Sequence, residues 1–161
     1  MCRRSFSIYT KKKRLKNYTI SVGGTVLVQT ENHKKNSKII AIQKPIDEKK
    51  SIHLLVHLKN SSISTAGSYR NYYYLQGKYI SHLIDPTSGK PVNHNLISVS
   101  VISSTALEAD SWDTGLLILG FKKAKKLALK EQLAVCLITK KRNIFSTWLS
   151  PKFKKFLVKK K

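Results

Sequence analysis

Hydrophobic and polar residues alternate over several short stretches in the first hundred residues of the chain. Residues 18–29 alternate on both sides of Gly23-Gly24, which predicts a strand, a tight turn and a second strand. Residues 60–69, rich in Ser, Thr and Gly, favour a polar turn, and the Pro/Gly-rich residues 85–91 favour a loop. Further strands are predicted over residues 39–43, 51–58, 71–75, 78–84 and 96–102, with a hairpin turn at 76–77.

The hydrophobic period changes after residue 104. Thr105 and Glu108 have the spacing of a capping box, which predicts a helix that begins here and stops at Gly120. An amphipathic helix over 122–132, strands over 133–139 and 144–149, and a basic tail from residue 151 follow. Because helices and strands are mixed without regular βαβ alternation, the predicted fold class is α+β, with a mixed or antiparallel sheet and packed helices.

The length and composition fit a single domain of ordinary size with an unusually basic charge. It has 161 residues, 41% of them hydrophobic, and its net charge is +23. No apolar run approaches the roughly 20 residues of a membrane span, and two widely separated cysteines indicate inert thiols. A basic chain can bind nucleic acid, but lysines outnumber arginines 26 to 5 and are scattered. Surface drift toward lysine therefore explains the charge better than nucleic-acid binding.

Against this basic background, three of the eight acids fall within six residues: Glu108, Asp110 and Asp113. In a helix, Asp110, Asp113 and Thr114 share one face, since they are three and four residues apart. Two carboxylates and a hydroxyl are hard oxygen donors, which suit Mg²⁺ or Ca²⁺. Acids near a helix start also complement the helix dipole, so the pattern alone leaves both interpretations open.

Two further segments have residue types that can do chemistry. His82 lies between a hydrophobic strand and a Pro/Gly loop, where it is a candidate general base or a histidine held by a neighbouring backbone group. The small hydroxyl residues around Gly67 form either a cradle for a phosphate or an ordinary polar turn.

Taken together, three segments resemble the FAD:protein FMN transferase family, also called ApbE-type flavin transferases. The segments are ISTAGSYRNYY at 63–73, SHLIDPTSGKP at 81–91 and TALEADSWDTGL at 105–116. The resemblance extends over roughly residues 14–158. It implies an ApbE-like α+β fold, of which this chain is the C-terminal portion, and a family that is usually an inner-membrane lipoprotein facing the periplasm.

The resemblance implies transfer of FMN from FAD to a Thr or Ser of an acceptor protein, dependent on Mg²⁺ and with release of AMP. In this implied mechanism, Asp110, Asp113 and Thr114 bind the metal. His82 is the candidate base for the acceptor hydroxyl. Ile84 and Thr65 contact the flavin nucleotide, and no nucleic acid is expected as a partner.

The chain also departs from the family pattern. Family members are about twice as long, so we expect a basic segment over 1–17, the C-terminal part of the transferase domain over 18–158 and a tail over 159–161. Ser21 stands where an acid usually precedes the Gly-Gly turn, and Ala66-Gly67-Ser68 replaces Ser-Gly-Asp. Three hypotheses follow: a transferase that needs its N-terminal half, a non-catalytic remnant of one, and, third, a nucleic-acid binder.

Overall fold

The computed structural model describes residues 15–31, 37–45, 51–68, 72–75, 78–142 and 144–158. The turn predicted at 76–77, Cys2, the tail over 159–161 and most of the segment over 1–17 lie outside these ranges. The described residues form twelve strands and two helices. The strands are β1 (Tyr18–Val22), β2 (Thr25–Gln29), β3 (Lys38–Gln43), β4 (Ile52–Leu58), β5 (Ser61–Gly67), β6 (Tyr72–Leu75), β7 (Lys78–Ser81), β8 (Ile84–Asp85), β9 (Lys90–Pro91), β10 (Leu96–Ser103), β11 (Ala134–Lys141) and β12 (Ile144–Leu149). The helices are α1 (Ala106–Lys130) and α2 (Pro151–Lys154).

A six-stranded sheet in the order β1-β2-β5-β10-β11-β12 forms the centre of the fold. Every neighbouring pair in it is antiparallel, and the remaining strands pair as the hairpins β3–β4, β6–β7 and β8–β9. The predicted α+β class is confirmed, and the sheet is antiparallel.

Each face of the sheet is covered by a different layer. On one face, α1 buries Leu116 and Leu117 against Val99 and Val101 of β10. On the other face, the β3–β4 hairpin and the C-terminal segment bury Val56 and Phe153 among residues such as Ile63. Because successive residues of a strand point to opposite faces, the central strands contribute side chains to both layers.

Strand β5 corrects the prediction of a polar turn over residues 60–69. Residues 61–64 pair with β2 on one side and residues 62–67 pair with β10 on the other, so the segment is a strand of the central sheet and not a turn. Ser62, Ser64 and Ala66 alternate on the face toward α1, opposite Ile63. Small side chains on that face allow the helix to approach the sheet closely.

The segment predicted as a basic tail from residue 151 is partly ordered core. The Ser150 hydroxyl accepts a hydrogen bond from the Phe153 amide at 3.2 Å and caps the short helix α2. Phe153 is completely buried, and Leu157 forms a bridge to Val56. Because lysines lie between the apolar residues of this segment, the sequence pattern did not identify them as core positions.

Helix α1 is interrupted at Gly120, where φ is 73° and ψ is 166°. The predicted stop at this glycine and the second helix after it are therefore confirmed. Only glycine adopts this backbone conformation without strain. A side chain would also collide, because a Cβ on residue 120 would lie 3.0 Å from Cδ2 of His94.

Replacement of Gly120 by alanine is expected to lower the free energy of unfolding by about 2–3 kcal/mol, because the new Cβ forces a strained backbone and displaces the His94 ring. The matched control is Gly115→Ala, since residue 115 is helical and a Cβ there meets nothing within 4 Å. That substitution should be neutral or raise stability by up to about 1 kcal/mol. Urea denaturation of both variants measures the difference, and equal effects would contradict this account of Gly120.

Candidate functional site

The start of α1 places the acid cluster over the sheet. Thr105 caps the helix, its hydroxyl accepting from the Glu108 amide at 3.2 Å, as the capping box predicted. The Glu108 carboxylate accepts hydrogen bonds from the hydroxyls of Ser103 at 2.5 Å and Ser104 at 3.1 Å. These bonds, with that of Ser103 foremost, lower the pKa of Glu108. Glu108 therefore anchors the helix start, and the other two acids are left for a different role.

Asp110 lies at the junction between α1 and two strands of the sheet. Its Oδ1 accepts from the Thr25 hydroxyl at 3.1 Å and from the Ser64 hydroxyl at 3.3 Å. Thr25 and Ser64 are direct partners across β2 and β5, and their hydroxyl oxygens are 2.6 Å apart. The carboxylate is thus hydrogen-bonded to two neighbouring strands of the sheet.

Asp113 is a buried carboxylate, with 2% of its surface exposed. Burial raises its pKa from the usual 3.8 to about 6, and the nearby charge of Asp110 raises it too. Hydrogen bonds from the hydroxyls of Ser64 and Thr114 act in the opposite direction. An acid that merely complements a helix dipole lies exposed in the first turn and has a lowered pKa. Asp113 lies in the second turn and has the reverse properties, so the dipole interpretation does not describe it.

Thr114 completes the set of oxygen donors on this part of the helix. Its hydroxyl is exposed and donates to Oδ1 of Asp113 at 3.0 Å. The structure thereby brings together Asp110, Asp113 and Thr114, as the spacing predicted. Within the described residues no three His, Cys, Asp or Glu side chains cluster as metal ligands, so two carboxylates and hydroxyls are the donors available here.

His82 and Ile84 are exposed next to each other on the chain segment between β7 and β9. Ser81 and Leu83 point inward, Leu83 packing against the core beneath α1, so His82 and Ile84 point outward. Strand β8, which begins at Ile84, contacts α1. This contact brings the segment to the face of the sheet that bears the acids.

The predicted loop after Ile84 is confirmed as a tight turn built by Asp85. Its carboxylate accepts from the Thr87 hydroxyl at 2.7 Å and from the Thr87 amide at 2.9 Å. These bonds lower the pKa of Asp85. A cleft of about 280 Å³ lies between this turn and the middle of α1, and Asp85, His94, Ile118 and Lys123 are among the residues that line it. Asp110 and Asp113 lie outside that cleft.

Thr65 points away from the acids. It is the direct partner of Ser100 in β10, and the two hydroxyl oxygens are 2.8 Å apart. Since Ser64 faces α1, its neighbour Thr65 faces the opposite layer. The structure therefore does not bring the Thr65 side chain together with the other predicted site residues, and a role in the nucleotide pocket stays a prediction.

Thr25 and Ser64 were missed as site residues by sequence reasoning. Thr25 directly follows the Gly23-Gly24 turn, and Ser64 lies in a segment assigned to a turn. The local pattern does offer one signal, a row of small polar residues at every second position of β5, which is typical of a strand covered closely by a helix. It does not reveal which acid those hydroxyls meet.

Stability should depend on pH through Asp113. Its pKa of about 6 in the folded state exceeds the usual 3.8, so between these values the folded protein holds a proton that the unfolded chain has lost. The stabilisation that comes from this bound proton is fully present below about pH 4 and is lost as the pH rises through 6. It amounts to at most about 3 kcal/mol in the free energy of unfolding. In metal-free buffer, Asp113→Asn should therefore be more stable than the parent at pH 7, with a smaller difference at pH 4. Urea denaturation midpoints of both proteins at both pH values test this. The prediction is contradicted if the stability advantage of the variant over the parent is smaller at pH 7 than at pH 4.

Comparisons with known proteins find relatives of one family. Residues 5–137 match the model of the ApbE family. A FAD:protein FMN transferase of Buchnera aphidicola subsp. Schizaphis graminum is 77% identical over 148 residues, which are 92% of this chain and 43% of that protein. The FAD:protein FMN transferase of Escherichia coli K12 is 49% identical over 94% of this chain and 43% of its own length. The chain thus spans less than half the length of these curated relatives.

Solved structures agree in fold over the same share of the chain. The flavin transferase ApbE from Vibrio cholerae superposes with a TM-score of 0.77 at 30% identity, covering 94% of this chain and 48% of that one. The apo form of the Pseudomonas stutzeri flavinyl transferase ApbE gives 0.77 at 28% identity, covering 93% and 47%. Within the part of the chain that the structure describes, none of the helices has the length and apolar character needed to cross a lipid bilayer. A family-model match over most of the sequence, with the acid-bearing helix and the His82 segment inside it, means that this chain belongs to the ApbE family.

Proposed function

We propose that this chain provides the acid-bearing half of a FAD:protein FMN transferase. In this reaction, the hydroxyl oxygen of an acceptor Thr or Ser bonds to the FMN phosphorus of FAD. The bond from that phosphorus to the bridging pyrophosphate oxygen breaks, and AMP leaves with that oxygen. Such phosphoryl transfers depend mostly on positioning and on stabilisation of charge.

The observation that carries the proposal is the pair of carboxylates on α1. Asp113 is buried with a raised pKa, and Asp110 lies beside it, both reached by the Ser64 hydroxyl. A carboxylate whose ionisation is disfavoured by burial and by a neighbouring carboxylate, as at Asp113, is costly for stability alone. Such clusters with perturbed pKa values are typical of functional sites.

The donor set fits Mg²⁺. Asp110, Asp113 and Thr114 offer only oxygen ligands, which this small, hard cation prefers. These three residues would hold the ion. When bound, Mg²⁺ would neutralise charge on the pyrophosphate oxygens of FAD.

His82 would accept the proton of the acceptor hydroxyl. Histidine is the side chain most often used as a general base, and His82 is exposed where a substrate can reach it. Ile84, with 48% of its surface exposed, would provide apolar contact to the flavin nucleotide on the same side of the sheet. A contact of Thr65 with the flavin nucleotide would come from its backbone, because its side chain lies on the opposite face of the sheet.

The proposal also includes the part of the relatives that this chain does not match. Because the chain matches about 43% of each curated relative, we expect transfer only when the N-terminal portion that those relatives carry is supplied. The E. coli relative, at 49% identity over the shared part, is a practical source of that portion.

The test is transfer itself. The chain, with and without the N-terminal portion of the E. coli relative, is incubated with FAD, Mg²⁺ and that relative's acceptor protein. Covalent flavin is read by in-gel fluorescence and AMP by chromatography. We expect transfer in the complemented mixture, with one AMP released per flavin attached. If neither mixture flavinylates the acceptor, the chain is a non-catalytic member of the family.

Substitutions separate the acid pair from its surroundings. Asp110→Asn and Asp113→Asn should each lower the rate of transfer at least about a hundredfold, because each removes a charge that the cation requires. Glu108→Gln is the matched control, a carboxylate-to-amide change in the same helix whose carboxylate serves only the helix start. It should leave the rate within about threefold of the parent. Loss of the same size in all three variants would assign the acids a structural role.

A further inference from the structure

Two buried hydroxyls of the sheet are within hydrogen-bond distance of the acid pair, although neither belongs to the helix that carries the acids. Thr25 is 3% exposed and Ser64 is 2% exposed. Both hydroxyls are within hydrogen-bond distance of Oδ1 of Asp110, and a hydrogen bond from Ser64 also acts to lower the pKa of Asp113. Buried hydroxyls normally satisfy one another or a nearby backbone group. These two instead converge on carboxylates that lie far along the chain.

The network has more contacts than protons to fill them. Thr25, Ser64 and Oδ1 of Asp110 form a triangle with sides of 2.6, 3.1 and 3.3 Å. Each hydroxyl has one proton to donate, and the 2.6 Å contact requires one of those two protons. One of the two protons remains for Oδ1 of Asp110. Removal of either hydroxyl breaks the 2.6 Å contact that orients the other one, so the remaining donor is no longer held toward the carboxylate.

A tight turn and strand pairing set the backbone positions of the two hydroxyls. Gly23 and Gly24, with φ of 56° and 86°, make the turn that sets Thr25 at the start of β2. The register of β2 and β5 then places Thr25 opposite Ser64. A donor on a central sheet strand is fixed more firmly than one on a loop, which is what precise placement of a ligating side chain requires.

We infer that Thr25 and Ser64 are positioning residues, which hold the side chains of Asp110 and Asp113 in single rotamers as a preorganised pair. The functional value of this positioning rests on the proposed function, because a cation binds more tightly when its ligands are fixed in advance. Outer hydrogen-bond partners of metal ligands act in this way in general. The rotamer statement itself needs no metal and is tested without one.

Side-chain couplings in metal-free protein are the first measurement. In isotope-labelled chain, three-bond couplings about χ1 of Asp110 and Asp113 should report one rotamer each. Thr25→Val keeps the shape of the side chain but lacks the hydroxyl, and it should move the Asp110 couplings toward rotamer averages. Thr25→Ser restores a hydroxyl and should restore the couplings. Asp110 couplings in Thr25→Val identical to those of the parent overturn the inference.

Ser64 has a matched control in the same strand. Ser64→Ala should average the couplings of both acids. Ser62→Ala deletes the same atom two residues away, on the same face and also fully buried, from a hydroxyl with no hydrogen-bond partner among the described residues. It should leave the couplings of both acids unchanged. Equal averaging in the two variants would mean that the acids respond to general loosening of β5, which overturns the inference. If Ser64→Ala does not fold, the Thr25 pair decides.

Binding of Mg²⁺ alone, followed calorimetrically, is the second measurement. Loss of an outer hydrogen-bond partner of a metal ligand weakens metal affinity roughly ten- to hundredfold, which we expect for Thr25→Val and Ser64→Ala and not for Thr25→Ser or Ser62→Ala. A parent chain that binds no Mg²⁺ would count against the proposed function, while the couplings still decide the positioning role. A parent that binds Mg²⁺, with variants of equal affinity and unchanged couplings, would leave the proposed function standing and overturn this inference.

Discussion

Burial of the Asp113 carboxylate between α1 and the sheet is the constraint on which much of this structure depends. A carboxylate removed from water needs hydrogen-bond donors, and the nearest strand provides them as hydroxyls. A strand that must offer hydroxyls at a helix interface has to be small and polar on that face. The composition of β5, which is unusual for the centre of a sheet, follows from this requirement. The large apolar residues of the same layer then come from β10, β11 and α1.

The same constraint explains how much could be predicted from the sequence. Strands that alternate large apolar and polar residues, such as β1 and β2, were found because their pattern is local. The helix start at Thr105 and the break at Gly120 were found because each depends on one residue type in one place. β5 was assigned to a turn because Ser and Gly favour turns locally, and only its partners β2 and β10 make it a strand.

The site shows the same division. The spacing of Asp110, Asp113 and Thr114 predicted their shared position, since it is a property of one helix. The contacts of Asp110 join residues that are 85 and 46 positions apart, and no local pattern carries such a pairing. Thr65 illustrates the converse. It was predicted to lie at the site, but because β5 is a strand, the alternation of its side chains places Thr65 on the opposite face. Similarity to the ApbE family identifies which motifs matter, but only the register of the strands shows which side chains meet.

The interruption at Gly120 has a consequence for how this protein tolerates change. It divides α1 into an acid-bearing segment, locked onto the hydroxyls of the sheet, and a following segment rich in lysine. A continuous helix would transmit a tilt or rotation at one end to the other as a rigid rod. Two segments joined by a non-helical glycine do not share one continuous helical backbone, so a change on the lysine-rich segment is not passed to the acids along a single helix axis. The strong basic charge of the chain and the exact placement of its few acids are thus compatible in one helix because the helix is in fact two.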